Sequence, residues 1–322
     1  MADTGGFPGV EHRAVGEAAV RQIPVVTEFV LPPRRAVRED FPLAQTLRRL
    51  RRSKTAVFGL VIVLVLLFVA AFADVLAPQS PTDSDQAMTF QSPSRAHPLG
   101  TDQLGRDMLS RVIHGSRVSL AIGVSSVLLA LFAGVPLGMI AGYYGGRVDT
   151  LVMRMMDLIL SFPVYLLAII LMVIFTPTAG IVGTIKVVGA IAIVRIPIYA
   201  RLVRGSVLSI KEKEYIEACR ALGQRDPRIL ARHLLPNCLA PIIVTTTLGI
   251  ATSIIVEASL SFLGLGTQPP TPAWGWDLKA NVAFIHSNPW LSLFPGLAIF
   301  VTVLGFNLFG DGLRDALDPR LK

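Results

Sequence analysis

Four ionisable side chains, Asp157, Lys186, Arg195 and Glu257, fall inside long apolar runs of this 322-residue chain. Charge in such surroundings is costly, so these groups turn to a bundle interior, to water or to one another, and are the first candidates for pairing, proton handling or gating. Arg195 and Asp157 are expected to pair across helices. Lys186 lies near the end of its run and is expected to snorkel, and Glu257 is expected to face a gate. The remaining chemistry-bearing residues are less organised. Cys219 and Cys238 stand in no CxxC or Cys/His ligand spacing, and His97, His114, His233 and His286 are scattered, so no metal site is expected. No HExxH or GxSxG occurs, so an intramembrane enzyme has no clustered nucleophile, base or metal set to work with, and no catalytic residue is assigned. The densest polar stretch is EYIEACRALGQRDPRILARHLLP, Glu214 to Pro236, set between two apolar runs.

The elements that must position these residues are helices in a bilayer. Hydrophobic residues make up 52% of the chain and charged ones only 16%, against about 25% charged in a soluble domain. Runs at 55–77, 118–142, 151–175, 181–200, 239–260 and 291–309 are each apolar enough to cross a bilayer. Backbone polar groups in hydrocarbon must pair internally, so the runs are helical and the fold is all-α and polytopic with six spans. Pro163 and Pro197 are expected to kink the third and fourth spans. If both termini lie inside, 23 Lys and Arg fall in inner segments and five in outer ones, which puts both termini and the 214–236 stretch in the cytoplasm. The net charge of +8 therefore reports topology, and no basic face with aromatic platforms suggests nucleic acid. Residues 1–54 read as a polar, poorly ordered cytoplasmic tail and 311–322 as a second tail. The outer segment 78–117 starts as a Pro-, Ser- and Asp-rich loop. It then carries Leu104, Met108, Leu109, Val112 and Ile113 at helical spacing, read as a short helix on the outer membrane surface. The segment Gly264 to Trp290, with three tryptophans and several prolines, reads as an interfacial cap.

Within 214–236, Tyr215, Ala218, Cys219 and Leu222 share one helical face, and Glu214 and Glu217 sit where the helix dipole favours acids. Gly223 can end that helix in a left-handed conformation. Asp226 is expected to cap a second helix with Pro227 in its first turn and Ile229, Leu230, His233 and Leu234 on its apolar face. The product is two short amphipathic helices joined by a tight turn, a knob anchored at both ends to membrane spans.

This stretch resembles the EAA loop of permease subunits of ATP-binding-cassette importers: E-A-A, three residues, G, nine residues, I, one residue, L-P. Glu217, Ala218, Gly223, Leu235 and Pro236 match, while Cys219 replaces the second Ala and His233 replaces the Ile. HPLGTDQLGRDMLSR, DLILSFP, SLSFLGLG and DGLRDALDPRL are similar to the C-type permease of the dipeptide/oligopeptide/nickel branch. The resemblance covers roughly residues 97–322 and the first span. It implies a type I importer permease core over 118–310, in a bacterial cytoplasmic membrane, moving di- or oligopeptides; nickel complexes, haem or another small solute are the alternative cargoes. It implies that the chain is a transport subunit and not an enzyme. It binds no cofactor itself, and ATP and Mg are handled by partner ATPase subunits. A homologous second permease and an extracytoplasmic solute-binding protein complete the expected set, the latter docking on 78–117 and 264–290. Glu217, Ala218, Cys219, Leu222, Gly223, His233, Leu235 and Pro236 become the candidate ATPase-coupling residues. Asp157, Ser161, Phe162, Pro163 and Glu257 become the candidate pathway or gate residues. The rival class, an ion-gradient-driven secondary transporter, predicts inverted repeats with broken helices; no internal repeat is visible, and the coupling loop would have no purpose.

Overall fold

The computed structural model describes residues 43–317; positions 1–42 of the expected N-terminal tail and 318–322 of the C-terminal one lie outside the described residues. Helices α1 (Leu43–Arg52), α2 (Lys54–Ala71) and α3 (Ala73–Leu76) open the chain. The Ser53 hydroxyl accepts from Ala56 N at 3.3 Å and starts α2. Then come α4 (Met108–Tyr144), α5 (Gly146–Leu160), α6 (Val164–Phe175), α7 (Gly180–Lys211), α8 (Glu214–Ala221), α9 (Asp226–Ile229), α10 (Leu235–Phe262), α11 (Trp274–Asn281) and α12 (Trp290–Leu317). Five of these are long and apolar enough to cross a membrane, and α5 with α6 makes a sixth, bent span. Among the described residues the only β pairing is two isolated bridges.

The bundle centres on α4 and α7, which pack along much of their length. Gly134, Gly138 and Gly142 form a stripe on α4 that lets α7 approach. A Cβ at Gly134 would lie 2.7 Å from Tyr199 Cβ and from Ile196 O, the small-residue contact that replaces hydrophobic drive in lipid. Helix α10 packs on α4, α7 and α12, and α2 packs on α12.

The structure changes some of the sequence expectations and bears out the kink at Pro163. The short surface helix before the second span does not exist as a separate element. Asp107 accepts from Ser110 N at 2.8 Å, and the helix then runs unbroken from Met108 to Tyr144. Its polar residues are satisfied by the protein instead of headgroups: Arg111 pairs with Asp277 and donates to Pro81 O at 2.9 Å. The third span is bent by 88°, because Pro163 lacks an amide hydrogen and disfavours helical geometry at Phe162. Pro197, by contrast, lies inside a continuous α7. Helicity also reaches into both expected tails, as α1 and the last turns of α12.

The end of the bundle opposite the 214–236 loop is closed by the Pro-rich segment 78–107 and the Pro- and Trp-rich segment 264–290. Buried pairs lock it: Asp102 with Arg106 at 2.6 Å and His97 with Asp107 at 3.0 Å. Trp274 Nε1 donates to Val112 O at 2.9 Å. On the rim, Arg117 donates to Asp74, which also receives His114, and the two hold that exposed carboxyl below its usual value.

Candidate functional site

Residues 212–236 fold into a knob rooted in the bundle. Glu214 and Glu217 occupy the first turn of α8. At its end Gln224 N bonds Cys219 O at 3.1 Å and Gly223 N bonds Arg220 O at 2.9 Å, with Gly223 at φ +73°; this is the left-handed Schellman termination. Helix α9 starts after an extended Arg225, and Leu230–Leu234 make one π turn before Pro236 enters α10. A π turn widens the helix locally and commonly marks a functional position.

The knob has two faces. Ile216, Ile229 and Leu234 are fully buried and join Met139, Tyr143, Val203, Val207, Ile210 and Cys238 in one core cluster. Cys219, Leu230 and Leu235 pack at its edge. Glu217, Ala218 and Pro236 are exposed, and Leu222 is 81% exposed. The face grouped in the sequence therefore divides: Cys219 turns inward with Ile216, while Tyr215, Ala218 and Leu222 point out. An apolar side chain as open as Leu222, beside a carboxylate, is a surface made for a partner rather than for this chain's core.

Tyr143, at the end of α4, seats the knob. Its hydroxyl donates to Asp226 Oδ1 at 2.7 Å, and Arg220 lies 5.0 Å over its ring, so one aromatic holds both short helices. Asp226 is thus engaged by a membrane span instead of capping α9. Sequence reasoning missed Tyr143; the signal available was a Tyr143–Tyr144 pair directly before Gly145–Gly146 at the end of a span. Lys211 Nζ also donates to Gly142 O at 3.0 Å, tying α7 to the end of α4. On the knob's inner side Cys219 Sγ faces His233 Nε2, which lies 3.2 Å from Gln224 Oε1.

The candidate pathway residues divide into two places. Asp157, Ser161, Phe162 and Pro163 gather at the α5–α6 bend. Asp157 pairs with Arg201 at 2.6 Å and both side chains are about half exposed; Ser161 Oγ donates to Leu158 O at 2.7 Å. Glu257 lies apart and fully buried, accepting from Ser119 Oγ at 3.2 Å and Ser261 Oγ at 2.8 Å. It joins α4 to α10 inside the core. The expected Arg195–Asp157 pair does not form: Arg195 donates to Thr252 on α10, because Arg201, nearly two turns further along α7, faces α5 instead. Lys186 Nζ donates to Thr176 O at 3.0 Å, beyond the end of α6.

Comparison with known proteins adds five observations. Residues 134–322 match the sequence model of a family described as the binding-protein-dependent transport system inner membrane component. Residues 42–93 match that of the N-terminal TM domain of oligopeptide transport permease C. The dipeptide transport system permease protein DppC of Alkalihalophilus pseudofirmus is 45% identical over 291 residues, covering 90% of this chain and 94% of the relative. The glutathione transport system permease protein GsiD of Pectobacterium atrosepticum is 46% identical over 282 residues, covering 87% and 92%. An inward-facing structure of the MetNI methionine ABC transporter is similar in fold, with a TM-score of 0.53 at 20% identity, over 66% of this chain and 98% of that one.

Proposed function

Since this chain belongs to the family of binding-protein-dependent transport system inner membrane components, we propose that it is the permease subunit of an ATP-driven importer that carries small peptides across a bacterial cytoplasmic membrane. The observation that carries this reading is the two-faced knob. Ile216, Ile229 and Leu234 root it in the core shared by α4, α7 and α10, while Glu217, Ala218 and Leu222 stand free of that core. A partner gripping the free face moves α7 and α10 together, because the root is packed rather than flexibly linked.

The chain has no phosphate loop, so the nucleotide chemistry falls to separate ATPase subunits. ATP closes those subunits, the docked knobs follow, and the spans pass between outward- and inward-facing arrangements; the differential affinity of ATP for the two states biases the equilibrium. Glu217 supplies a polar contact to the ATPase, and Ala218 and Leu222 fill its groove. The basic clusters at Arg48–Lys54 and 201–232 favour a cytoplasmic location for this end and for both termini. The locked cap at the other end then faces outside, where a solute-binding protein delivers cargo. A homologous second permease forms the other wall of the pathway. The peptide cargo rests on the names of the relatives, which are dipeptide, di/tripeptide and glutathione permeases.

The test is uptake of labelled di- and tripeptides by cells with and without this chain, beside a Glu217→Lys variant. Loss in both, with the variant present in the membrane, supports the reading. Undiminished uptake in a strain with no other peptide importer overturns it.

A further inference from the structure

Arg195 stands halfway along α7. About 15 Å of hydrocarbon separates the centre of a bilayer from either headgroup layer, so a side chain at this depth cannot snorkel to water. It reaches sideways instead, and its Nη2 donates to the exposed Thr252 on α10. Among the described residues no carboxylate lies within ion-pair distance of it. Asp157 is taken by Arg201, and Glu257 by Ser119 and Ser261. The other guanidinium donors make no hydrogen bond among the described residues. A guanidinium keeps its charge in a protein, and a charge inside a membrane is tolerated where it faces a water-filled cavity or a partner. A second unpaired group lies beside it. The fully buried Tyr199 hydroxyl faces that of Thr246 without closing a hydrogen bond. A Cβ at Gly249 would lie 3.1 Å from Tyr199 Oη and 3.5 Å from Arg195 Nη1, so the bare backbone of α10 leaves both groups room.

We infer that Arg195 is the mid-membrane subsite for the terminal carboxylate of the peptide cargo, with the Tyr199 hydroxyl as a second donor and Thr252 holding the guanidinium in place. Thr252 cannot be a donor to cargo, because its own hydroxyl hydrogen goes to the α10 backbone, where Leu248 O and Gly249 O each lie 3.1 Å away. The planar guanidinium fork matches a carboxylate with two parallel hydrogen bonds. Every free peptide ends in one such carboxylate whatever its side chains, so one fixed cation serves cargo of any sequence. Stripping that carboxylate of water without a partner is the costliest part of crossing the apolar centre, and Arg195 supplies the partner at that depth. The subsite also spans α7 and α10, the two spans joined by the knob, so movement of the knob bears directly on its grip. The inference rests on the reading of the chain as a peptide permease.

The test compares uptake of dialanine and of dialanine amide, which lacks the terminal charge, by the complete transporter in proteoliposomes. The preference for the free acid should fall about tenfold in Arg195→Gln, equivalent to about 1.4 kcal/mol. The ratio is taken within each transporter, so any preference of the solute-binding protein cancels. An unchanged ratio overturns the subsite, whereas a wild type that imports no peptide strikes the peptide reading instead. Should Arg195→Gln fail to assemble, or the amide not be carried, thiol labelling decides. Thr252→Cys in the complete transporter is treated with the anionic reagent sulfonatoethyl methanethiosulfonate, against the parent chain, whose Cys219 and Cys238 set the background. Labelling above background, slowed by millimolar dialanine and not by its amide, is the expected result. No labelling above background, which would place lipid or a fixed carboxylate of another subunit on Arg195, or equal slowing by the two compounds, overturns the inference.

Discussion

Cys219 Sγ lies 3.7 Å from His233 Nε2, and these are the two positions at which the loop departs from the importer pattern. One sits on α8 and the other in the π turn, so the departures meet inside the knob instead of weakening it at two places. Neighbours in contact are expected to be energetically coupled. Cys219→Ala alone leaves a gap beside the imidazole, and His233→Ile alone sets a branched side chain against the sulfur and removes the contact with Gln224. Each single change should lower the unfolding free energy of the purified transporter by about 1 kcal/mol, with the double variant recovering about 0.5–1 kcal/mol of the sum. Strict additivity in thermal unfolding would show that the contact carries no energy.

Ile216 on α8 and Leu222 at its C-cap face opposite ways, which separates folding from coupling. Ile216 is fully buried, so Ile216→Ala should cost about 2–5 kcal/mol of stability. Leu222 is largely exposed, so Leu222→Asp should change stability by less than about 0.5 kcal/mol while abolishing ATP-driven uptake. Thermal melts paired with uptake assays decide it. A Leu222→Asp transporter that imports normally would remove this residue from the docking face.

The turn between the two short helices gives a graded series. Gly223 has a positive φ and open space around its Cβ position, so Gly223→Ala meets only the left-handed penalty, about 1–2 kcal/mol. Gly223→Asn should cost less, since Asn tolerates that region. Gly223→Pro cannot adopt the angle and loses the bond from its amide to Arg220 O, so it should abolish coupling. Uptake falling in the order Gly, Asn, Ala, Pro is the expected reading, and a transporter indifferent to Pro would show that the turn geometry is dispensable.

The bundle and the knob were readable in the sequence for a simple reason. Apolar runs of span length admit one backbone solution in lipid, and Gly223 and Pro227 punctuate the loop locally. Long-range pairings leave no local periodicity. Tyr143 to Asp226 and Arg111 to Asp277 join residues 83 and 166 positions apart, and nothing in either neighbourhood names its partner. Arg195 and Arg201 are chemically alike on one helix, so sequence could not tell which would meet Asp157. The misread surface helix before α4 had the same cause: its polar residues suggested headgroups, and the protein partner of Arg111 lay far along the chain.

Arg111 and Asp277 hold the loop-distal end together. Both side chains are about 1% exposed. Arg111 Nε donates to Asp277 Oδ1 at 2.9 Å and Nη1 to Pro81 O at 2.9 Å, so one guanidinium links α4 to both closing segments. Burial raises the Asp277 carboxyl above its ordinary value, with Arg111 pulling the other way. Arg111→Met removes the counter-charge and should cost about 3–5 kcal/mol, because an unpaired carboxylate stays behind; Arg111→Met with Asp277→Leu should recover most of that loss. The pH dependence carries a definite sign. A carboxyl whose folded pKa is raised binds its proton more tightly in the folded state, so stability falls as pH rises from the unfolded value, about 3.9, through the raised one. Losing Arg111 raises the folded value further, so the single variant should lose stability over a wider pH range than the wild type, and the double variant should lose that component. Unfolding curves collected from pH 4 to pH 8 on the three proteins test it. A single variant no more pH-dependent than the wild type would mean that Asp277 gains access to water when Arg111 is removed, and that the pair does not seal this end.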